Sequence, residues 1–360
     1  MENLKRCSRC VMAQTWSGIT FDSRGVCNIC RNYEKKRKVD WEGRQRTFNE
    51  ILAQYRDRAR GTGNKYDCMV GYSGGKDTAY TLWAMVKKYD MRPLAVTWDH
   101  GFHLSEDAEF NLMEVPKRLD VDHLRFTIGN RLRNEMCRKS SMVAGDFCYH
   151  CHLGVGAYPT RVSKMMDIPL QIWGEGTGEY QTSGSGYTFD QIEEQDFEHY
   201  KKLFQSGVTP EMVIPDGYES RDMQPFEWPM RYEVKALYLG SFEPWDQIEH
   251  AEIVKRELGW KPYPFEDFDP ELIKTWGNYR NCDTVDCPYE TVRNWQKYMR
   301  RGFDKIVFQA SKDIREGLLT REQGLDLLKY EGQRPINMDA FCKETGITEE
   351  EFNRITKRDI

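Results

Sequence analysis

The sequence predicts an α/β protein built on a parallel twisted sheet with helices on both faces. Short apolar segments alternate with amphipathic ones across residues 66–173, which is typical of strands joined by helical crossovers. A glycine-rich turn at 73–78 directly follows the first apolar segment, and two Cys-x-x-Cys motifs precede it near the amino terminus. These observations predict a zinc ribbon at 1–40, an α/β domain at 41–245 and a helical carboxyl-terminal region at 246–360.

The composition is that of a folded protein with no strongly basic surface. Of the 360 residues, 39% are hydrophobic and 13% aromatic, and the formal net charge is -5, which argues against a protein that mainly grips nucleic acid. The opening MENLKRCSRC lacks the apolar stretch of a signal peptide, and no run of about 18 apolar residues could span a membrane. Eleven cysteines in such a chain are more typical of metal ligands and thiols than of disulfides. We therefore expect a cytoplasmic protein without a membrane span.

Local periodicity places the elements in order. Apolar side chains three and four positions apart predict helices at 41–58, 77–89 and 106–119, the last of which must bend or end at Pro116. Four segments rich in apolar residues predict the strands: 66–72, 93–98, 123–128 and 169–173. Such parallel sheets bind ligands at the carboxyl ends of their strands.

The rest of the chain is less regular. Residues 177–235 are rich in glycine, acidic and aromatic residues, and we interpret them as an insertion near the mouth of the site. The region 246–360 is mostly helical by pattern, with predicted capping boxes at 320–323 and 348–351.

The turn Ser73-Gly74-Gly75-Lys76-Asp77-Thr78 has the chemistry of a phosphate-binding loop. Two glycines let the backbone approach an anion closely, and the free N–H groups at the following helix start favour phosphate oxygens. The side chains add hydroxyl donors and an ammonium charge, so Ser73, Lys76 and Asp77 are the predicted catalytic residues. The spacing differs from the Walker A pattern, and the alternative interpretations are an ordinary glycine turn and a solvated surface lysine.

This loop resembles the SGGxD[ST] loop of the PP-loop, or N-type, ATP pyrophosphatases. Those enzymes adenylate a carbonyl oxygen and let a nitrogen or sulfur nucleophile displace AMP. The resemblance implies that the loop and the residues after the second and fourth strands bind ATP: Gly71, Tyr72, Ser73, Gly74, Gly75, Lys76, Asp77, Thr78, Trp98, Asp99, His100, Gly174 and Glu175. Asp77, Asp99 and Glu175 are candidate Mg²⁺ ligands, because hard oxygen ligands suit Mg²⁺ bridging phosphates. For Asp99 and Glu175 a structural role in a turn is the alternative.

The amino-terminal cysteines have the spacing of a zinc site. Cys7-x-x-Cys10 and Cys27-x-x-Cys30 can place four thiolates around one ion. A ribbon this short has little core, so zinc would supply its folding energy.

A second cysteine group is less specific. Cys148 and Cys151 form another Cys-x-x-Cys, and Cys287 lies much later in the chain. The three could hold an iron–sulfur cluster, as in some sulfur-transferring PP-loop enzymes, or a second metal ion, or be structural.

Several motifs resemble those of the N-acetyl sugar amidotransferases of bacterial surface-polysaccharide (lipopolysaccharide O-antigen) biosynthesis. They are the four-cysteine ribbon, YSGGKDT at 72–78, TWDHGF at 97–102, Trp173-Gly174-Glu175, Leu239-Gly240 with Pro244-Trp245-Asp246, Asp286-Cys287-Pro288-Tyr289 and SKDIREGLLTREQG at 311–324. The resemblance implies that ATP adenylates the acetamido oxygen of a nucleotide-linked sugar and that ammonia displaces AMP, leaving an acetamidino group. It also implies partner subunits, a glutaminase and a cyclase-like barrel, that supply the ammonia.

Side chains that could meet the sugar nucleotide are weaker candidates. Arg131, Arg133 and Arg138 could bind its phosphates, although a solvated helix face is the alternative. Four aromatic residues could stack on a sugar or base, although core packing is the alternative: Tyr187, Trp228, Tyr232 and Trp245.

Two rival functions remain open at this point. A tRNA-thiolating PP-loop enzyme would suit the ribbon and the second cysteine pair, but not the acidic charge balance. A non-catalytic scaffold subunit with a vestigial nucleotide site would suit the ribbon and the carboxyl-terminal helices, but not an intact SGGKDT loop.

Overall fold

A computed structural model describes residues 4–180, 188–205, 207–230 and 233–356. Five parallel strands form one sheet in the order β3-β2-β1-β4-β5. The strands are β1 Cys68–Gly71, β2 Pro93–Asp99, β3 His123–Thr127, β4 Leu170–Trp173 and β5 Lys235–Tyr238. The predicted α/β class with a parallel sheet is therefore confirmed.

The amino-terminal half carries these helices: α1 Asn28–Lys36, α2 Trp41–Thr62, α3 Lys76–Trp83, α4 Glu106–Arg118, α5 Asn130–Val143, α6 Tyr149–Met166, α7 Thr177–Tyr180 and α8 Phe197–Tyr200. The carboxyl-terminal half carries these: α9 Gln247–Leu258, α10 Pro270–Trp276, α11 Glu290–Arg301, α12 Lys305–Glu316, α13 Arg321–Leu327, α14 Met338–Thr345 and α15 Glu349–Thr356. Helix α3 continues as a π-helical turn at Ala84–Lys88. No described helix is long and apolar enough to cross a membrane.

The predicted helix at 41–58 extends to Thr62, where Gly63 with φ +72° ends it. Pro116 lies in the last turn of α4, two residues before the helix ends, so the helix stops soon after the proline, as predicted. The predicted capping box at Thr320 is confirmed by both of its reciprocal hydrogen bonds with Gln323.

Alternate residues of β1 serve two hydrophobic cores, because successive side chains of a strand point to opposite faces. Cys68 and Val70 pack with α2, α3, α4 and α9 on one face. Met69 packs with β2 and with Val162 of α6 on the other face. The phosphate loop therefore leaves the sheet where both faces are covered.

Part of the predicted insertion at 177–235 is integral to the fold. Its last residue, Lys235, begins β5, a four-residue strand that the sequence analysis did not locate. Tyr200 and Phe226 pack with Trp98 and α6 in a third core. A strand this short, between segments of weak periodicity, carries too little pattern to be recognised.

The ribbon packs against the carboxyl-terminal helices. Cys7 and Cys30 share one hydrophobic cluster with Ile306 and Val307 of α12. Arg321 of α13 donates hydrogen bonds to the carbonyl oxygens of Cys7 and Cys10, at 3.3 and 3.2 Å. The ribbon therefore packs against one side of α12, and other residues of this helix line the cavity described below.

Candidate functional site: a phosphate pocket closed by the carboxyl-terminal region

The loop at 73–78 joins β1 to α3 and lines a cavity of about 220 Å³. Gly74 has φ +86°, and a Cβ atom there would lie 3.2 Å from the backbone of Leu112, so both conformation and space require glycine. The Ser73 hydroxyl accepts from the amide of Gly75 (3.3 Å) and lies 3.2 Å from the Thr78 hydroxyl. The loop's own side chains thus hold the start of α3 at the cavity.

Lys76 is the cation that the loop contributes to this pocket, and only 3% of its surface is exposed. Its Nζ donates to Asp77 Oδ2 at 2.8 Å and to Asp283 Oδ1 at 2.7 Å. Burial opposes the ionisation of Asp283, but the ammonium groups of Lys76 and Lys305 hold the pKa of this carboxyl well below its usual range. The alternative of a solvated surface lysine is therefore excluded.

Two carboxylates keep an open oxygen: Asp77 in the lining of the pocket, and Glu175, which contacts the lining residue Lys312. Asp77 Oδ1 and Glu175 Oε2 are buried and accept no hydrogen bond from the described residues. The other Glu175 oxygen accepts from Lys312 Nζ at 2.6 Å. Burial raises the pKa of Glu175 to about 8 against the opposing charge of Lys312. Hard, unpaired oxygens of this kind fit a Mg²⁺ ion.

Asp99, the third magnesium candidate, is already engaged. Its Oδ1 accepts from the amide of Gly101 (2.7 Å), and its Oδ2 pairs with Arg125 Nε (2.7 Å). The structural alternative therefore describes Asp99 better than a metal ligand does.

Tyr72 and Trp98 lie in the core. The Tyr72 hydroxyl donates to the carbonyl oxygen of Asn111 at 2.6 Å. The indole ring of Trp98 packs in the third core with α6, where a Cβ atom on Gly154 would lie 1.9 Å from the ring. Their side chains thus contribute packing, and contact of either residue with ATP stays a prediction.

The remaining predicted ATP-binding residues are close to the loop. The His100 Nε2–H donates to the carbonyl oxygen of Asp286 at 3.0 Å, and Asp286 lines the phosphate cavity. A Cβ atom on Gly174 would lie 2.8 Å from Thr81 Oγ1 of α3, and one on Gly71 would lie 3.4 Å from the Trp173 ring. These glycines let β1, β4 and α3 approach closely.

The far wall of the phosphate cavity comes from the carboxyl-terminal region, and the sequence analysis assigned it no role. Its residues are Gln247, Tyr279, Arg280, Cys282, Asp283, Thr284, Asp286, Lys305, Phe308, Gln309, Lys312 and Asp313. Arg280 holds this wall together by donating to Asp313 Oδ2 from Nε (3.1 Å) and Nη2 (2.9 Å). The sequence carries no clear signal for this wall, because the charged residues of SKDIR at 311–315 fall within one arc of about 160° on a helix, which is typical of a solvent-facing side.

The arginines proposed for the sugar phosphates have other partners. Arg133 is buried, donates to the carbonyl oxygen of Gly101 and pairs with Glu344 at 3.3 Å. Arg138 pairs with Glu351 at 2.8 Å. Arg131 lies on the exposed side of α5, so none of the three lines the phosphate cavity.

The four aromatic candidates divide in two. Trp245 is buried edge-on against Tyr80, and Trp228 packs beside Tyr200, which confirms the core-packing alternative for both. Tyr187 and Tyr232 lie outside the described residues.

The ribbon cysteines converge as a metal site requires. The Sγ atoms of Cys7 and Cys30 are 3.9 Å apart, those of Cys10 and Cys27 are 3.8 Å apart, and one atom from each residue lies within 4.8 Å of all the others. Four sulfurs about 2.3 Å from a central Zn²⁺ would be separated by roughly 3.8 Å. The arrangement is therefore a four-cysteine metal-binding cluster.

The second cysteine group is partly assembled. Cys148 is buried within hydrogen-bonding reach of Cys287, and burial together with that contact raises the pKa of its thiol well above the usual value. Cys151, at the start of α6, lies in the electrostatic range of Cys287. Within the described parts of the chain, the ribbon is the one group of cysteine, histidine or acidic ligands that converges within 4.8 Å. A cluster or metal ion held by this second group stays a prediction.

Comparison with known proteins places the carboxyl-terminal region most clearly. Residues 265–359 match the family model described as LPS biosynthesis protein WbpG-like, C-terminal domain. The uncharacterized protein MJ1599 of Methanocaldococcus jannaschii is 26% identical over 170 residues, which are 47% of this chain and 58% of that protein. The chain therefore spans little more than half the length of this curated relative.

Three solved structures share parts of the architecture at low similarity. The U34-tRNA thiolase NcsA from Methanococcus maripaludis with its [4Fe-4S] cluster has a TM-score of 0.35 at 11% identity, covering 93% of this chain and 91% of that one. The NMN synthetase of Francisella tularensis has a TM-score of 0.29 at 12% identity, covering 61% and 87%. The NAD⁺ synthetase of Burkholderia pseudomallei has a TM-score of 0.26 at 14% identity, covering 64% and 91%. None of these likenesses is strong enough to assign an activity.

Two findings concern the same cavity: the phosphate loop on its parallel sheet, and the family match at 265–359. The loop supplies a buried cation and hydrogen-bond donors for an anion. The matched region supplies most of the opposite wall of the cavity. Together they form one cavity suited to an anion, with most of its far wall in the region that resembles an LPS biosynthesis domain.

Proposed function

We propose that the protein is an ATP-dependent amidotransferase that converts the acetamido group of a nucleotide-linked N-acetyl sugar into an acetamidino group. The observation that carries the proposal is the buried Lys76 ammonium, held between Asp77 and Asp283 at the start of α3. Placed beside the free N–H groups of a helix start, it can neutralise the charge that develops on departing pyrophosphate. The match of 265–359 to a WbpG-like LPS biosynthesis domain supports a sugar-nucleotide substrate.

In the proposed first step, the acetamido oxygen attacks the α-phosphorus of ATP. The new O–P bond forms as the bond to the β-phosphate oxygen breaks, and pyrophosphate leaves. The chain's contribution is to bind the β- and γ-phosphates at 73–78 and to hold Lys76 beside them. A bound Mg²⁺ would neutralise phosphate charge, and Asp77 and Glu175 are the residues with open oxygens to hold it.

In the second step, ammonia forms a C–N bond at the activated carbon and AMP leaves with the original oxygen, while the nitrogen loses a proton. Activation is needed because an amide oxygen is a poor leaving group and AMP is a good one. We propose that the ammonia comes from partner subunits, a glutaminase and a cyclase-like barrel. The chain's own cysteines are accounted for in two groups or stand singly, without the setting of a glutaminase nucleophile.

We further propose that the four-cysteine cluster binds zinc as a structural ion. Its four thiol ligands are buried and leave no open coordination position. Metal analysis of purified protein should find one zinc per chain, and iron with acid-labile sulfide at these four residues would contradict this.

The test of the main proposal is product analysis. The protein is incubated with ATP, Mg²⁺, ammonium and a panel of nucleotide-linked diacetamido sugars. One sugar should lose about one mass unit as oxygen is replaced by NH, with matching AMP and pyrophosphate. A Lys76→Ala variant is the matched control and should make neither. Formation of ADP, or normal turnover by the variant, would contradict the mechanism.

Sulfur transfer to tRNA is a second candidate, favoured by the contact between Cys148 and Cys287. It predicts an iron–sulfur absorbance band that is lost in Cys287→Ser, and ATP-dependent thiolation of added tRNA. An acetamidino product formed by a Cys287→Ser variant at the wild-type rate would exclude this candidate.

A further inference from the structure

A second cavity of about 490 Å³ adjoins the phosphate pocket. It lies between the loop that precedes α6, the helix α11 and Trp16 of the ribbon. Thr284, Lys305 and Phe308 line both cavities. Its volume is in the range of small-molecule sites, about 300–1,000 Å³, so it can hold a compound whose reacting end reaches the bound ATP.

The lining of this second cavity is basic. It contains five lysine and arginine side chains against three acidic ones. Two of the acids already have partners. Asp146 pairs with Arg293 at 3.3 Å, and Glu290 lies 3.9 Å from Arg293 and 3.7 Å from Lys305. The third acid, Asp304, is buried, which raises its pKa to about 6, and its oxygens accept hydrogen bonds from the amides of Ile306 (2.9 Å) and Gly332 (3.3 Å).

The remaining cations lie along one face of α11. Lys297, Arg300 and Arg301 follow Arg293 at helical spacing, and all four line the cavity. Burial and the neighbouring Arg293 lower the pKa of Lys297 to about 8, so an anionic ligand would restore the full charge of this lysine. Phosphate oxygens are the natural partners of such a row.

Part of the lining of the second cavity is aromatic. Trp16 packs against Phe303 and Phe308 with ring centres 5.7 and 5.3 Å away. The Arg301 guanidinium lies 5.7 Å from the centre of the Trp16 ring. Aromatic faces next to cations suit a ligand that joins a flat base or sugar to phosphates.

A larger groove at the carboxyl ends of β2 and β3 is a poor alternative for such a ligand. It is open, with a volume of about 1050 Å³, and one arginine, Arg125, faces five acidic residues: Asp99, Glu106, Glu109, Glu114 and Glu344. A ligand with two phosphates would be repelled there. Charge therefore distinguishes the two cavities.

We propose that the second cavity is the acceptor site: a phosphate-linked sugar binds with its phosphates on the α11 cations and its acetamido end toward Lys305. This rests on the proposed amidotransferase function for the identity of the acceptor, but the basic cavity itself is independent of that function. It also gives the ribbon a part in substrate binding, because Trp16 forms one side of the site.

Binding is the sharpest test, because it needs no turnover. Titration calorimetry measures the affinity for three ligands: UDP-N-acetylglucosamine, inorganic pyrophosphate and a non-hydrolysable ATP analogue. Each ligand is titrated into the wild type, the Arg301→Gln variant and the Lys297→Met/Arg301→Gln double variant. Arg60→Gln is the matched control, since it removes the same charge from an exposed site on α2 outside all three cavities. The double variant should bind UDP-N-acetylglucosamine at least roughly tenfold more weakly, with unchanged ATP-analogue affinity. The Arg301→Gln variant, at an exposed position, should show part of that loss.

The outcomes separate the two proposals. Equal binding of UDP-N-acetylglucosamine by wild type and the double variant, or no binding of either anion by wild type, overturns the acceptor site. If the variants lose pyrophosphate binding at the second cavity while no sugar nucleotide is ever turned over, the anionic site stands and the amidotransferase function fails. With an active enzyme, the KM for the sugar nucleotide should rise in the variants while kcat stays near the wild-type value.

Discussion

The two walls of the phosphate pocket differ in origin. One wall is the loop at 73–78, six consecutive residues whose hydrogen bonds are largely among themselves. The other wall is formed by three parts of the chain: α9, the segment that precedes α11, and α12. Its residue Asp283 is 207 positions from Lys76, which it contacts. The loop can bind phosphate by local backbone geometry, whereas the far wall sets the charge of the site and closes it. The anion-binding loop and the residues that set the charge of the site thus come from separate parts of the chain.

The largest effect should come from the bond that joins the two walls. Lys76→Met should lower pyrophosphate release by a factor of roughly 10²–10³, because a preorganised cation is lost. It should also destabilise the fold by about 3 kcal/mol or more, since it leaves buried carboxylates without their cation. Stopped assays of pyrophosphate and thermal unfolding measure the two effects.

The double variant Lys76→Met/Asp283→Asn separates these effects. It should regain much of the lost thermal stability, because the buried charge is removed, and it should remain inactive. Recovery of activity in the double variant would show that the lysine merely neutralises Asp283.

Loss of the ribbon metal should loosen the far wall. Cys10→Ser should lower the Tm by roughly 5 °C or more, since α12 and α13 lose the support of a folded ribbon. Calorimetry of this variant and of Cys342→Ser, a partly exposed cysteine outside both cysteine groups, provides the comparison. An equal Tm for both variants would mean that the cluster does not stabilise this wall.

The pH dependence of Mg²⁺ binding should follow the ionisation of Glu175, which contacts Lys312 of the far wall. Burial raises the pKa of this carboxyl to about 8, so at pH 7 its neutral form predominates and a metal-binding oxygen is lost. Mg²⁺ affinity should therefore rise roughly tenfold from pH 7 to pH 9 as the proton leaves. Mg²⁺ titrations of Glu175→Gln should be weaker and flat over this range, and a parallel rise in this variant would assign the titration to another group.

The smallest effect should come from Tyr72, next to the loop but in the core. Tyr72→Phe removes the hydrogen bond to the Asn111 carbonyl and should cost about 1 kcal/mol. Turnover and the KM for ATP should not change, because the hydroxyl bonds Asn111 and Tyr72 is not among the residues that line the cavity. Tyr55→Phe on α2 is the control, and a tenfold rise in the KM for ATP in Tyr72→Phe alone would show that this hydroxyl contributes to ATP binding.

The sequence by itself determined the local features. The alternation of strands and helices, the phosphate loop and the four ribbon cysteines each depend on neighbouring residues whose spacing fixes their geometry. For the same reason the sequence did not predict β5, because its four residues contain only about two repeats of the two-residue strand period.

Only the tertiary structure decided which polar residues meet the loop. Asp283 and Lys312 look like solvated charges in the sequence, and packing of the carboxyl-terminal region buries them beside Lys76 and Glu175. Packing against α6 likewise buries the indole ring of Trp98 in the third core. The physical reason is that burial and charge pairing between distant segments depend on how helices and sheet pack together, which no local pattern of residues encodes.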